Sequence, residues 1–340
     1  MLVSEFDYEL PSELIAQHPA PERTASRLLH LDAANGAIED LAFADFPALV
    51  GPRDALVLND TRVVRARLAG RRASGGKVEV LVERVLEDSR TALGGAREAL
   101  ALVRASRSVR PGGELVVGDG VRATVLGREG ELYRVRFSED VNAVLERCGA
   151  VPLPPYIRHA PQPEDAARYQ TVYAAVPGAV AAPTSGLHFD AAMLERVAAR
   201  GVRIAKLTLH VGSGTFQPVR TANVEEHRMH GERYAIPGET MRAIEGRRVL
   251  AVGTTSLRAL ETAALTGALS GETDLFIHPG FRFRVVERLL TNFHLPRSSL
   301  LMLAAAFAGL ANIRRAYAHA VERRYRFYSY GDAMLIERAA

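Results

Sequence analysis

The feature that most constrains the fold of this 340-residue chain is a change in the spacing of its hydrophobic residues. Over residues 68–149, apolar and polar side chains alternate with a period of two, as in KVEVLVERV (77–85) and YRVRF (133–137). Glycine-rich turns separate the alternating segments, at 75–76, 94–95, 112–113 and 118–120. Short alternating segments joined by such turns are typical of antiparallel strands in a small sheet or barrel.

On either side of this segment, apolar runs of strand length alternate with amphipathic helical patterns. The predicted strands are 55–60, 180–182, 202–211, 248–255, 274–278 and 288–293. The predicted helices are one begun by Ser12, one capped by Asp190, one capped by Thr255 or Ser256, and two over 298–310 and 312–325. Alternation of strands with helices is typical of a mainly parallel sheet covered by helices.

Together these patterns predict an α/β fold built from two domains. A large α/β barrel-like domain comprises residues 1–67 and 150–340, and a small antiparallel β-barrel domain of residues 68–149 is inserted into it. The segment VPLPPY (151–156) is interpreted as a stiff linker between them, because its prolines restrict the backbone.

Charge and cysteine content bear on the partners and the kinds of site that the chain can have. The 43 Lys and Arg residues against 39 Asp and Glu give a net charge of +4, and the lysines are Lys77 and Lys206. An arginine bias suits phosphate recognition, but the bias alone favours a simple effect of genome composition. The single cysteine, Cys148, excludes an internal disulfide or a thiolate zinc site.

The first residues and the longest apolar stretch bear on localisation. The sequence begins MLVSEFDYELP, which lacks the apolar region of a signal peptide. The longest apolar stretch, residues 300–308, is too short to span a membrane. We therefore expect a cytoplasmic protein with no membrane contact.

Polar and reactive side chains follow the predicted strands outside the alternating segment. They are Asn59, Asp60, Thr61, Arg62, Thr184, His188, His210, Thr254, Thr255, Arg258, His278, Asn292 and His294. In parallel β/α folds the carboxyl ends of the strands form one rim, and ligands bind there. One histidine in such a place is usually structural, but four are hard to explain by packing. We therefore predict that these residues share one site.

The segment LTLHVGSGTFQPV bears on the kind of site. A phosphate-binding loop requires glycines that lead directly into a helix, and Pro218 disfavours a helix here. A nucleophile elbow requires G-x-S-x-G, whereas Ser213 has a glycine on each side. Gly212 and Gly214 are therefore predicted to allow close approach of a flat ligand beside His210, with an ordinary tight turn as the alternative.

Two smaller features also admit functional interpretations. His227 and His230 are three residues apart, but no further ligand at a zinc-binding spacing accompanies them, so substrate binding is favoured over a metal site. Near the C-terminus, Tyr330 belongs to a group of aromatic residues that could stack on bases. Asp332 follows the predicted turn at Gly331, and it either caps a helix or contacts a cationic ligand.

Long segments of the chain resemble the S-adenosylmethionine:tRNA ribosyltransferase-isomerase family of queuosine biosynthesis. The segments are FDYELPSELIAQHP, LVLNDTRVVRARL, GGKVEVLVER, PLPPYI, RYQTVYA, APTSGLHF, LHVGSGTFQPV, HRMHGE, GTTSLRALE, FIHPGFRF, LLTNFHLPRSSLLMLAAAFAG and FYSYGDAML. They run from residue 6 to residue 335 in the family's order, so the resemblance covers nearly the whole chain. The chain departs from the family at Arg65, at Ser185, and before TNFHLP, where Glu287 is the acid nearest to a position often occupied by aspartate.

The resemblance implies an enzyme that transfers and isomerises the ribosyl group of S-adenosylmethionine onto 7-aminomethyl-7-deazaguanine in tRNA. The implied product is epoxyqueuosine in tRNA, with release of adenine and methionine. The implied co-substrate is S-adenosylmethionine, with no bound cofactor and no metal. The implied partner is a tRNA that carries the modified base in its anticodon arm, and we expect the enzyme to act as a monomer.

The implied chemistry needs a base beside the sulfonium, a proton donor for adenine, and hydrogen-bond donors for a developing oxyanion. Histidine suits either proton transfer, so the catalytic candidates are His188, His210, His278 and His294, with Asp60 as an orienting or accepting carboxylate. The substrate-binding candidates are Asn59, Thr61, Arg62, Thr184, Gly212, Gly214, Thr254, Thr255, Arg258, Asn292, Tyr330 and Asp332. The sequence does not assign a particular histidine to a particular step.

Overall fold

The computed structural model describes residues 1–90, 95–216 and 219–339 of the chain. Its strands are β1 (Arg27–Asp32), β2 (Ala37–Ala42), β3 (Asp54–Asn59), β4 (Thr61–Val63), β5 (Arg67–Arg72), β6 (Lys77–Arg90), β7 (Ala96–Ala105), β8 (Glu114–Val117), β9 (Val121–Glu129), β10 (Leu132–Phe137), β11 (Val176–Ala179), β12 (Arg203–Leu209), β13 (Glu232–Ala235), β14 (Arg248–Val252), β15 (Ser270–Thr273), β16 (Val286–Asn292) and β17 (Ala333–Glu337). Its α-helices are α1 (Val141–Cys148), α2 (Asp165–Arg168), α3 (Ala191–Ala199), α4 (Gly238–Ile244), α5 (Thr254–Thr266), α6 (Ser299–Ala308) and α7 (Leu310–Glu322).

The alternating segment forms a closed six-stranded barrel in the order β10-β7-β6-β5-β8-β9. Each neighbouring pair of strands is antiparallel. Every second residue points inward, so Val78, Val80 and Val82 of β6 are buried together with Tyr133 and Val135 of β10. This alternation is what a period of two requires of a sheet with one face in a core. The predicted antiparallel β-barrel is confirmed; of its predicted turns, residue 94 lies outside the described residues.

The larger sheet has nine strands in the order β15-β13-β12-β3-β14-β16-β17-β1-β2. At its centre β12, β3, β14 and β16 are parallel. All six residues of β3 are buried, as expected for a strand covered on both faces, and this explains its unbroken apolar run. The predicted α/β class is confirmed. The division of the chain into domains at residues 67 and 150 stays a prediction.

Helices cover the larger sheet and direct its loops. Helix α5 packs against β12, β14 and β16, and α4 packs against β12. The consecutive helices α6 and α7 contact each other, and they pack against β17 and β1 respectively. Gly309 joins α6 to α7 with φ 84°, a backbone conformation that favours glycine. None of the helices in the described part of the chain combines the length and apolarity needed to cross a membrane.

Several local predictions are wrong, because tertiary pairing overrides local pattern. Ser12 begins a single 3-10 turn (Ser12–Leu14), since Ala16 N–H donates to the Phe327 carbonyl in place of continuing a helix. Residues 180–182 and 274–278 are irregular, and the neighbouring strands are β11 and β15. Helix α5 is capped by Gly253, two residues before the predicted cap Thr255 and three before the alternative, Ser256. Asp332 precedes strand β17 and therefore caps no helix.

The linker interpretation of residues 151–156 also needs correction. Pro152, Leu153 and Pro154 are buried, and Leu153 belongs to a hydrophobic cluster that includes Ile157 and Tyr169. The segment is therefore packed onto the large domain, and it places Tyr156 beside the cleft described below.

The cap at the start of α3 supports a stability prediction. The Asp190 carboxylate accepts a 2.7 Å hydrogen bond from the Met193 N–H, which confirms the predicted cap. We expect Asp190→Ala to lower the free energy of unfolding by about 1 kcal/mol, because an N–H of the first turn loses its acceptor. Urea denaturation measures this change. Glu195→Ala, an exposed change on the same helix, is the control, and equal losses in both variants would contradict the prediction.

Candidate active site

A cleft lies where β14 and β16 end. Five of the predicted site residues line it: Thr184, Thr254, Thr255, Asn292 and His294. Strands β14 and β16 are parallel neighbours, so their carboxyl ends deliver the last four of these residues to the same edge of the sheet. The expected convergence therefore holds for part of the predicted set.

The first turn of α5 forms one wall of the cleft. Gly253 has φ 88° and supplies no side-chain cap, so Thr254 and Thr255 present the uncapped start of a 13-residue helix. N–H groups in a first helical turn lack helical partners and carry partial positive charge, so they suit a ligand oxygen. Behind this wall, the Asn59 amide donates to Thr255 Oγ1 (3.2 Å) and to the Leu209 carbonyl (2.9 Å). Asn59 is fully buried and thus positions Thr255.

His294 faces the cleft directly after β16. A 2.8 Å hydrogen bond joins its Nε2 to Thr291 Oγ1. Its main chain is held on both sides, because its carbonyl accepts from Tyr8 Oη (2.5 Å) and its N–H donates to Tyr317 Oη (2.9 Å). Burial lowers the pKa of the imidazole to about 3. The side chain is therefore neutral near pH 7. Its position is set by Thr291, three residues earlier in the chain, and by Tyr8 and Tyr317, which are 286 and 23 positions away.

The lowered pKa of His294 predicts an absent titration. We expect the ¹³Cε1 NMR signal of His294 to stay constant between about pH 5 and pH 8, whereas an ordinary histidine titrates near 6.5. The unfolded chain binds this proton more readily, so the stability from the neutral ring is present above about pH 6.5 and falls as the pH decreases. A His294 midpoint near 6.5 would contradict the burial argument.

Asn292 connects the cleft to a histidine behind it. Its Nδ2 donates to the Tyr328 carbonyl (3.0 Å). On the far side lies His188, whose Nδ1 is joined to Ser26 Oγ (2.7 Å). Burial lowers the pKa of His188 to about 4, and its interaction with Asn292 acts in the opposite direction. His188 lines a separate small cavity with Tyr330, so it does not reach the cleft itself.

A second group of predicted residues lies together but outside the cleft. Thr61 Oγ1 is hydrogen-bonded to His210 Nδ1 (2.8 Å), and Thr208 Oγ1 donates to Asp60 (2.7 Å). Burial lowers the pKa of His210, and Arg233 adds to the effect. Val211, the next residue, lines the cleft. Successive residues of an extended chain point to opposite sides, so His210 faces away from it.

Three further candidates also lie away from the cleft. The Arg258 guanidinium is buried, pairs with Glu232 and donates to the Leu275 carbonyl (2.9 Å), so it is already neutralised by the protein. His278 forms its hydrogen bond to the Pro279 carbonyl (3.1 Å) and does not line the cleft. Arg62 is exposed to solvent on β4.

The two C-terminal candidates have structural partners. Tyr330 Oη donates to the Asp165 carboxylate (2.8 Å). The Asp332 carboxylate accepts the N–H groups of Arg27 (2.8 Å) and Arg326 (2.7 Å) and is buried. Asp332 therefore ties the start of β17 to β1, and neither it nor Tyr330 lines the cleft.

Gly212 and Gly214 line a different, adjoining cavity. They do allow close approach, but the groups that approach are protein side chains. A Cβ at Gly212 would lie 2.5 Å from Glu83 Oε1, and one at Gly214 would lie 2.6 Å from His230 Cδ2. Residues 213–216 form a 3-10 turn, and Pro218 lies outside the described residues.

Two aromatic residues of the cleft were missed as a pair by sequence reasoning. Tyr156 and Tyr328 both line the cleft, with ring centroids 4.6 Å apart, and Tyr156 Oη is hydrogen-bonded to Ser329 Oγ (2.6 Å). Flat apolar surfaces of this kind suit a purine ring. The tyrosines were visible in PLPPY and FYSY, but nothing in the sequence brings segments 172 positions apart together.

The positions that depart from the family pattern differ in their distance from the cleft and in their exposure to solvent. Ser185 lines the cleft, whereas Arg65 and Glu287 are exposed, so Glu287 does not supply an acid there. Within residues 1–90, 95–216 and 219–339, no group of three or more His, Cys, Asp or Glu side chains is placed to hold a metal ion.

Comparison with known proteins extends over nearly the whole chain. Residues 3–336 match the family model described as queuosine biosynthesis protein. The chain is 58% identical to the S-adenosylmethionine:tRNA ribosyltransferase-isomerase of Thiobacillus denitrificans, and the match covers 100% of this chain and 98% of that protein. The protein of the same name from Azoarcus sp. is also 58% identical, over 99% of this chain and 97% of its own length.

A solved structure agrees with these matches. The crystal structure of S-adenosylmethionine tRNA ribosyltransferase from Thermotoga maritima is 38% identical in sequence, with a TM-score of 0.56. The alignment covers 98% of this chain and 100% of that one. The resemblance inferred from the sequence motifs is therefore confirmed, and this chain is an enzyme that belongs to the S-adenosylmethionine:tRNA ribosyltransferase-isomerase family of queuosine biosynthesis.

Proposed function

We propose that this enzyme transfers and isomerises the ribosyl group of S-adenosylmethionine onto 7-aminomethyl-7-deazaguanine in tRNA. The products are epoxyqueuosine in tRNA, adenine and methionine. The observation that carries the proposal is the cleft, where a neutral imidazole, an amide and threonine hydroxyls surround a space bordered by aromatic rings. The match to relatives named for this activity, over the full chain, supports the same reaction.

The cleft has separate surfaces for the parts of S-adenosylmethionine. The adenine packs beside Tyr156 and Tyr328, which lie together on one wall. The ribose hydroxyls or the methionine carboxylate accept hydrogen bonds at the start of α5, where Thr254 and Thr255 also offer hydroxyls. Asn292 contributes its side-chain amide to the wall of the cleft.

His294 acts in its neutral form. A neutral imidazole can accept a proton, whereas an imidazolium would repel the sulfonium of the co-substrate. Thr291 holds the Nε2 atom, so Nδ1 is the atom left to face a ligand. His188 and Asn59 act through others, the first behind Asn292 and the second behind Thr255.

The tRNA is bound through its anticodon arm by a monomeric enzyme in the cytoplasm. Arg62 is exposed and available for a phosphate contact, because guanidinium groups bind phosphate oxygens in pairs. Seven further predicted residues do not line the cleft, so they act on the reaction only through other residues. They are Asp60, Thr61, His210, Arg258, His278, Tyr330 and Asp332.

Adenine release from S-adenosylmethionine tests the proposal. We expect release, followed by chromatography, when tRNA carrying the aminomethyl base is present and none with tRNA carrying guanine at that position. A tRNA-binding protein without catalysis would show salt-sensitive binding to RNA and no consumption of S-adenosylmethionine. A hydrolase of small molecules would show no requirement for RNA. Either result would contradict the proposed reaction.

A further inference from the structure

A second cavity lies between the inserted barrel and the large domain. The barrel contributes Glu83 and Glu131 to its wall, and the large domain contributes the loop that contains Gly212 and Gly214. Thr215 lines both this cavity and the cleft, so the two spaces adjoin. The reaction proposed above needs a place for the second substrate next to the first, and an adjoining cavity can supply one.

The two enclosed acids of this cavity differ in their partners. Both carboxylate oxygens of Glu232 have partners, because its Oε1 accepts the Gly212 N–H (2.9 Å) and its Oε2 pairs with Arg258. Glu83 accepts the Ser213 N–H (2.9 Å) at Oε1, while its Oε2 is buried without a hydrogen-bond partner among the described residues. A buried carboxylate oxygen without a partner is costly, so it points to a ligand that supplies one.

Electrostatics at Glu83 agree with this geometry. Burial raises the pKa of its carboxyl, the hydrogen bonds from Ser213 lower it, the negative charge of Glu232 raises it, and His230 in the same cavity lowers it. Within the described ranges Glu83 has no ion pair with a lysine or arginine. A cation placed beside it would stabilise the ionised form, as an adjacent opposite charge does.

The loop of the large domain is shaped to admit this acid. Gly212 leaves room for the carboxylate, since a Cβ at that position would lie 2.5 Å from Glu83 Oε1. The hydrogen bond from Ser213 then fixes the acid against the loop. This contact of Glu83 with the loop joins the barrel to a segment that also borders the cleft. The room that the carboxylate needs explains why glycine occupies position 212.

The rim of the cavity carries the opposite charge. Arg220 and Arg228 line it and are exposed, and in the described part of the chain neither forms an ion pair. Guanidinium groups at an open rim suit the phosphates of a polynucleotide, whereas the inner carboxylate suits a cation. A nucleotide whose base carries an alkylamine offers both groups, since its phosphate is an anion and its ammonium is a cation.

We propose that this cavity binds the modified base of the tRNA and that Glu83, a residue of the inserted barrel, pairs with its aminomethyl ammonium. The inference rests on the proposed function for the identity of the base. A primary alkylammonium is charged near neutral pH, as in lysine. The last torsion of a glutamate side chain is soft, so the carboxylate can turn an oxygen toward the ligand without backbone movement. Glu83 is thus a specificity-determining residue that separates the aminomethyl base from guanine.

Binding measurements with Glu83→Gln test this inference. The probes are two fluorescent anticodon-arm tRNAs, one with 7-aminomethyl-7-deazaguanine and one with guanine at the same position, and the readout is the ratio of their Kd values by anisotropy. We expect Glu83→Gln to reduce the preference of the unaltered enzyme for the aminomethyl tRNA roughly tenfold or more, as for loss of a charged hydrogen bond. The Kd for guanine tRNA and the KM for S-adenosylmethionine should change little.

Two further variants complete the design. Glu129→Gln, an exposed change on β9 of the same barrel, should keep the full preference. Gly212→Ala should lose the preference as Glu83→Gln does, because the added methyl group displaces the carboxylate. Thermal unfolding confirms that each variant is folded. A Glu83→Gln enzyme that retains the preference, with normal adenine release by the unaltered enzyme, overturns this inference alone, whereas absent release by the unaltered enzyme overturns the proposed function.

Discussion

Replacement of His294 by alanine should reduce kcat for ribosyl transfer by about 100-fold or more while the fold persists, since positioned proton transfer contributes about 10² to 10⁴. The imidazole is the only histidine ring that lines the cleft within the described residues, and its neutral state suits proton acceptance. Transfer of radiolabel from S-adenosylmethionine to tRNA measures turnover. Circular dichroism checks that the variant is folded.

Matched variants separate chemistry from packing at this position. His294→Gln can keep a hydrogen bond to Thr291 but cannot accept a proton at neutral pH, so it should be as inactive as the alanine variant. His18→Ala, a change at an exposed histidine, should leave turnover unchanged. Near-normal transfer by His294→Ala would remove this residue from the mechanism. A large loss in His210→Ala would show that the site reaches beyond the cleft.

Replacement of Arg288 by methionine should lower the free energy of unfolding by about 3–5 kcal/mol, the range expected when one partner of a buried ion pair is removed. Arg288 is 2% exposed. Its Nε donates to Glu337 on the neighbouring strand (2.8 Å), and its Nη1 lies 3.4 Å from Asp54. Methionine fills similar space but leaves these acids with less positive charge around them. Urea denaturation measures the loss.

A second pair provides the control for this stability prediction. Arg147 pairs with Asp119 (2.7 Å) on the surface of the barrel, where water screens both charges. Arg147→Met should therefore cost far less than Arg288→Met. The double variant Arg288→Met with Glu337→Leu should recover much of the lost stability, because it removes an acid together with its partner. A loss in Arg288→Met no larger than in Arg147→Met would contradict the role assigned to the buried pair.

The barrel shows which parts of a fold a sequence predicts well. Val78, Val80 and Val82 alternate with polar residues, and this local rule requires one face to be inside. The prediction over Ser12 shows the opposite case. A short helical pattern there cannot repay the cost of ordering a helix, and pairing of Ile15 with Phe327 decides its conformation.

There is a physical reason why only some of the residues that line the cleft could be predicted. Residues that directly follow β14 and β16 converge because neighbouring parallel strands end at one edge. The direction of each side chain at that edge depends on register, so His210 and Val211 face opposite sides although they are adjacent in the chain. Arg258 and Asp332 are drawn into buried structural contacts that no local pattern reveals.

The sequence by itself determined the α/β class, the inserted barrel and the family, because hydrophobic spacing and long motifs are properties of local order along the chain. Tertiary structure alone decided which polar side chains share a cavity. It placed His294 between Thr291, Tyr8 and Tyr317, and it brought Glu83 of the barrel against Ser213 of the large domain. Contacts of this kind join residues up to 286 positions apart, and they arise only when the whole core closes.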